Sequence, residues 1–266
     1  MSRIAIYLKP NLFRPVQVNA LLLACLLAVR PSSANANDAL FAPPERSAPS
    51  REILLVSTLP LGTSCEPSQL ETRLSCRRLE IDAQGRSVWQ AVPWQHAVEP
   101  DPQTPTVIYV HGNRVESGED VYRGMKVYRS LVDVKSANER LRYIIWSWPS
   151  TPIKGPIKDV HVIAARTRPA AWQLAWFLDQ LPADADVSLL GYSFGARVVS
   201  GSLHLLGGGS LGELHLAERV HPQRNPLRVG LIAPAFDADW LQPGQFHDRA
   251  VSQMERLLLV TNHRDP

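Results

Sequence analysis

The chain has 266 residues, of which 45% are hydrophobic and 20% charged, and its formal net charge is +3. That length and apolar content suffice to bury one α/β-sized core and exclude a disordered or fibrous polypeptide. The basic excess is small, several of the basic residues stand at the extreme N-terminus, and no Lys/Arg run is interleaved with aromatics, so nucleic acid is not an expected partner.

Arg3, Lys9 and Arg14 precede a short apolar run, residues 20–29, and Ala34, Asn35 and Ala36 supply a small-x-small pattern after it. This is the layout of an export signal, with cleavage expected after Ala36. The run is about half the length that spans a bilayer and Arg30 ends it, so no stable membrane span is expected after cleavage. An uncleaved anchor and lipidation at Cys25 are the alternatives. Residues 1–36 are thus read as signal, 37–51 as a flexible leader rich in Ala, Pro and Ser, and 52–266 as the folded domain of a periplasmic or secreted protein. Export also bears on the cysteines: Cys65 and Cys76 remain as an even pair in an oxidising compartment, close enough in sequence to be expected to bridge. Two cysteines without histidines at ligand spacing do not suggest a zinc site.

Residues 53–57 read as a first short strand, and 74–81 and 87–92 as a hairpin about Asp82, Ala83, Gln84 and Gly85, which together would form an antiparallel edge. Residues 106–110, a β-branched run, make a buried strand that ends on His111, Gly112, Asn113 and Arg114. A glycine just past a parallel strand lets the backbone turn its N–H groups into a pocket. His111 at that strand end is read as a prop for the loop rather than a general base. Arg114 is left open between a substrate-facing cation and a solvated side chain. Ser117 and Asp120 can cap a helix to about Val132, and 142–146 is a further strand leading into Ser147, Trp148, Pro149 and Ser150. Trp146 and Trp148 are open between core packing and substrate contact. A helical pattern resumes near Asp159, with Pro169 expected to kink or restart it and Pro182 to stop it.

The most informative stretch follows. Val187, Ser188, Leu189 and Leu190 form an apolar burst, Gly191, Tyr192, Ser193, Phe194 and Gly195 a G-x-S-x-G turn, and 196–206 an apolar helix closed by glycines. A serine at the apex of a strand-to-helix turn holds its hydroxyl above the sheet, and glycines two residues away on each side let strand and helix approach closely. The first free N–H groups of the helix face the oxygen that gains charge in acyl transfer. Ser193 is therefore the candidate nucleophile, with the Phe194 and Asn113 amides as the two halves of an oxyanion hole. Residues 208–226 read as an insertion whose histidines lie at the surface, 227–233 as a strand leading to Asp237, and 256–260 as a last strand followed by His263 and Asp265. Strands alternating with helices, with the reactive turns at strand carboxyl ends, describe a three-layer, mostly parallel α/β sheet.

The residues Val110, His111, Gly112 and Asn113, the segment Trp146, Ser147, Trp148, Pro149 and Ser150, the Gly191 to Gly195 elbow, and Asp237 after the next strand together resemble the α/β-hydrolase superfamily. Among its members the chain is similar to bacterial α/β-hydrolase proteins of unknown function with a VHG loop, a WPS segment and a G-x-S-x-G elbow. The resemblance implies a serine hydrolase acting on small-molecule or lipid-like esters through an acyl-enzyme, with no metal and no cofactor. Family chain order is serine, acid, histidine, which makes Asp265 the preferred acid and Asp237 the alternative. No histidine follows Asp265, so by this likeness the domain is C-terminally incomplete, lacking the last strand and helix, unless His263, or less directly His247, supplies the base. The opposed reading is a catalytically silent α/β-hydrolase-fold fragment or binding protein that keeps the elbow as scaffold.

Overall fold

A computed structural model of the protein describes residues 2–8, 15–16, 51–116, 118–134, 139–152, 156–237 and 239–262. Its strands are β1 (Ser2–Leu8), β2 (Pro15–Val16), β3 (Arg51–Ser57), β4 (Ser75–Ile81), β5 (Ser87–Val92), β6 (Thr106–Val110), β7 (Leu141–Ser147), β8 (Val187–Tyr192), β9 (Leu227–Ile232) and β10 (Met254–Asn262). The helices are α1 (Pro67–Arg73), α2 (Gln95–Val98), α3 (Glu119–Val134), α4 (Pro156–Gln180) and α5 (Phe194–Leu206). Among the described residues the strands form one open sheet in the order β2-β1-β10-β9-β8-β6-β7-β3-β4-β5. The six from β10 to β3 run parallel, while β4 and β5 at one edge and β1 and β2 at the other are antiparallel.

Side-chain alternation sorts the sheet into two cores. Leu54, Val56, Ile108, Val110, Ile144, Trp146, Leu189, Val229 and Leu231 face α4 and α5. Their neighbours Ile53, Leu55, Val107, Tyr109, Tyr143, Ile145 and Leu190 pack with Leu131 and flanking side chains of α3. A parallel strand covered on both faces reads as a continuous apolar run, and every residue of β6 and β7 is indeed buried. Chain direction explains which helix goes where. From β6 the chain steps outward to β7 and then returns past β6 to β8, so right-handed crossovers put α3 on one face and α4 and α5 on the other. The reversal leaves a crevice at the carboxyl ends of β6 and β8, where ligands bind in open α/β sheets.

Several expectations are corrected. Helix α4 is one unbroken element with Pro169 inside it. Burial of Trp172, Leu174, Ala175, Phe177 and Leu178 along its second half holds it against the sheet despite the lost backbone bond. Cys65 and Cys76 are free thiols. Cys65 precedes the seven-residue helix α1 and is half-buried, whereas Cys76 is buried in β4. Burial pushes both thiols up to about 11, which keeps them protonated and inert. The outer edge of β10 is not bare: Ser2–Leu8 pairs along it from Ser2 opposite Asn262 to Leu8 opposite Arg256. Lys9, Arg14, residues 17–50 with the apolar run, and Ser117 lie outside the described residues.

Candidate functional site

The site grows from the end of β8. Ser193 follows it with φ 54° and ψ −119°, a backbone conformation that side chains rarely adopt, and α5 begins at the next residue. The flanking glycines are sterically required. A Cβ on Gly191 would stand 2.6 Å from Ala196 Cα, and one on Gly195 would run into the Val110 carbonyl and lie 2.5 Å from that of His111. Strain of this kind persists only where the surroundings fix it. Here the Ser193 N–H donates to the Ile232 carbonyl at 2.9 Å, and the Ser193 carbonyl accepts from Ala196 N at 3.0 Å and Ala235 N at 3.2 Å. The elbow is thus held by its own helix and by the end of β9.

The 111–114 loop lies against it: a Cβ on Gly112 would come within 3.2 Å of Ser193 Cβ. Asn113 is half-buried, and Arg114 is exposed with φ 53°. Two braces fix the loop to the segment after β7. Trp148 Nε1 donates to the His111 carbonyl at 2.8 Å, and Arg114 N donates to the Ser150 carbonyl at 2.9 Å. The His111 ring stacks on Trp148 and is fully committed, since its Nε2 accepts from Trp148 N at 3.3 Å while Nδ1 sits 2.8 Å from the Gly112 carbonyl. Those contacts require the Nδ1–H tautomer. Burial holds its pKa down to about 4, so the ring is neutral at physiological pH and props the loop. Trp146 and Trp148 are buried core residues.

Asp237 is exposed, and its Oδ2 accepts from Trp240 Nε1 at 3.0 Å. His247 is engaged further along α5. It is buried among Phe236, Trp240 and Phe246, and its Nδ1 lies 2.8 Å from the Oγ of Ser200, two helical turns below Ser193. Burial, then the nearby His204 and Arg197, push its pKa down to about 3. His263 and Asp265 lie outside the described residues, although β10 delivers the chain to the same carboxyl edge at Asn262. Among the described residues, therefore, Ser193, the Phe194 amide and the 111–114 loop come together, and no histidine ring is recorded on the Ser193 hydroxyl.

Sequence reasoning missed a feature beside the elbow. Arg197 lies over the Trp240 ring, guanidinium carbon 4.5 Å from the centroid, and Arg168 over Phe246 at 5.6 Å. Arg197 is one helical turn from Ser193, which could have signalled it, whereas Trp240 and Phe246 come from an irregular segment without periodicity. Cavities flank the fold among the described residues. One of about 570 Å³, lined by Trp172, Trp176 and residues 213–220, touches neither the elbow nor the 111–114 loop. Another, about 500 Å³, lies between α3 and the sheet and reaches Tyr192.

Among the described residues no helix is long and apolar enough to cross a membrane, and no three His, Cys, Asp or Glu side chains converge as a metal site. No protein-family model matches the chain, and no curated protein matches it.

Proposed function

We propose that this chain is an exported serine hydrolase of the α/β-hydrolase type that cleaves small-molecule or lipid-like esters through an acyl-enzyme on Ser193. The observation that carries the reading is the backbone of Ser193: a positive-φ serine at a strand-to-helix turn, between glycines that admit no side chain, at the sheet's switch point. In this reading the Ser193 hydroxyl attacks the ester carbonyl, and its proton passes to a base. The tetrahedral oxyanion is held by the Phe194 and Asn113 amides, and the alcohol leaves as the carbonyl re-forms. Water then repeats the sequence and frees the acid. Phe194 opens α5, so its N–H has no carbonyl four residues back within the helix to bond, which suits that role. Asp265 or Asp237 would orient the base, and His263, the next residue in the sequence after β10, would be that base.

One observation favours a second reading, a catalytically silent binding protein of the same fold: the two buried histidines nearest in the fold, His111 and His247, are engaged elsewhere. Fluorophosphonate labelling separates the two, because it needs an activated serine. A hydrolase is labelled and its Ser193→Ala variant is not; a folded chain that stays unlabelled is the binding protein.

A further inference from the structure

We propose that Arg197 and Arg168 form an oxyanion subsite beside Ser193, which binds a carboxylate or phosphate group on the substrate. The inference rests on the reading of Ser193 as the reacting residue. Arg197 follows Ser193 by four residues on α5, a rise of about 6 Å. Its guanidinium carbon lies over the Trp240 ring, which packs 4.7 Å from that of Phe246 beneath Arg168. This aromatic shelf continues to the elbow, because Phe236 stacks on Trp240 and Ala235 N donates to the Ser193 carbonyl.

The shelf positions the two cations without using up their donors. A guanidinium stacked on an indole is held by its face, and its in-plane N–H groups stay available for a planar or tetrahedral oxyanion. Among the described residues neither arginine side chain has a hydrogen bond or an ion pair, although Arg197 is half-buried. The nearby carboxylate, Asp237, accepts from Trp240 Nε1 through Oδ2 and makes no ion pair with either arginine among the described residues. Burial and the like charge of Arg168 hold the Arg197 pKa below its ordinary value, with Asp237 opposing them. An anionic ligand bound at Arg197 would relieve that like-charge cost.

The test is calorimetric titration of the full chain with inorganic phosphate, and of the Ser193→Ala chain with monoethyl succinate, each repeated with Arg197→Gln, Arg197→Lys and Arg168→Gln. Arg168 is exposed, so its variant keeps the test valid should Arg197→Gln fail to fold. Affinity is expected to fall about tenfold or more in Arg197→Gln, severalfold in Arg168→Gln and less in Arg197→Lys, which keeps the charge but loses the fork. The tighter of the two probes identifies the group as phosphate or carboxylate. Absence of binding by the parent chains, or equal affinity in all variants, overturns the proposal. A kinetic arm compares 4-nitrophenyl hemisuccinate with 4-nitrophenyl butyrate: Arg197→Gln should lower kcat/KM for the anionic ester severalfold more than for the neutral one, and an equal loss on both overturns the subsite. Should neither ester be hydrolysed, the hydrolase reading fails and the titrations alone decide the subsite.

Discussion

At the scale of single residues, Ser193 and two buried histidines carry charges on stability that can be measured. Ser193 holds φ 54°, a conformation that costs a non-glycine residue on the order of 1 kcal/mol or more. Ser193→Gly should therefore raise the unfolding free energy by about 1 kcal/mol while abolishing reactivity; a variant less stable than the parent in urea titration would contradict the strained-elbow account. Gly195→Ala should do the reverse, costing several kcal/mol, because its methyl meets the Val110 and His111 carbonyls. For the histidines, the unfolded chain takes up a proton at each ring near pH 6.5, whereas the folded protein resists until about 4 at His111 and about 3 at His247. Unfolding thus binds protons in that window, and stability falls as the pH drops from 6.5 toward 4, by about 3 kcal/mol per ring at pH 4.5. His247→Gln should make the thermal midpoint less dependent on pH between 4.5 and 7; an unchanged slope would argue against a neutral, buried His247. Of these residues the elbow was legible, since the serine and its glycines are a local pattern. The engagement of His247 with Ser200 was not, because 47 residues separate them and only packing brings them together.

At the scale of elements, local signals worked where burial is uniform and failed where context decides. Thr106–Val110 and Ser87–Val92 form as their patterns predict, and Leu141–Ser147 is one residue longer at each end than its apolar run. Proline rules predicted a kink or a restart at Pro169, and no restart occurs, because the buried face of the second half of α4 outweighs one missing hydrogen bond. The short helices α1 and α2 went unread because seven and four residues carry too little periodicity. The Cys65 to Cys76 bridge failed with them, since spacing in sequence gave no hint of the intervening helix. The brace between the loops after β6 and β7 makes a prediction at this level. Trp148→Phe keeps most of the buried ring but leaves the His111 carbonyl without its donor, so it should cost about 1–3 kcal/mol. Because the braced loop carries Asn113, the turnover of a neutral ester should fall as well; unchanged stability and activity would show the brace to be incidental.

For the whole molecule, the two sheet edges and the switch point define how the chain is organised. The mostly parallel sheet with its reactive turns at strand carboxyl ends was legible from the order of strands and loops, whereas the switch point between β6 and β8 needed the strand order, and the pairing of Ser2–Leu8 with β10 was hidden because that segment reads as the start of an export signal. Cleavage after Ala36 would remove β1 and uncover seven residues of β10, and an exposed strand edge pairs with other chains. Light scattering of the full chain and of residues 37–266 should therefore show concentration-dependent association in the shorter chain alone; identical monomers would mean that the edge needs no cover. The central claim concerns Ser193, and fluorophosphonate labelling of the folded full chain beside its Ser193→Ala variant tests it most directly. The account predicts covalent labelling that the variant abolishes, whereas a folded, soluble chain that stays unlabelled would contradict it.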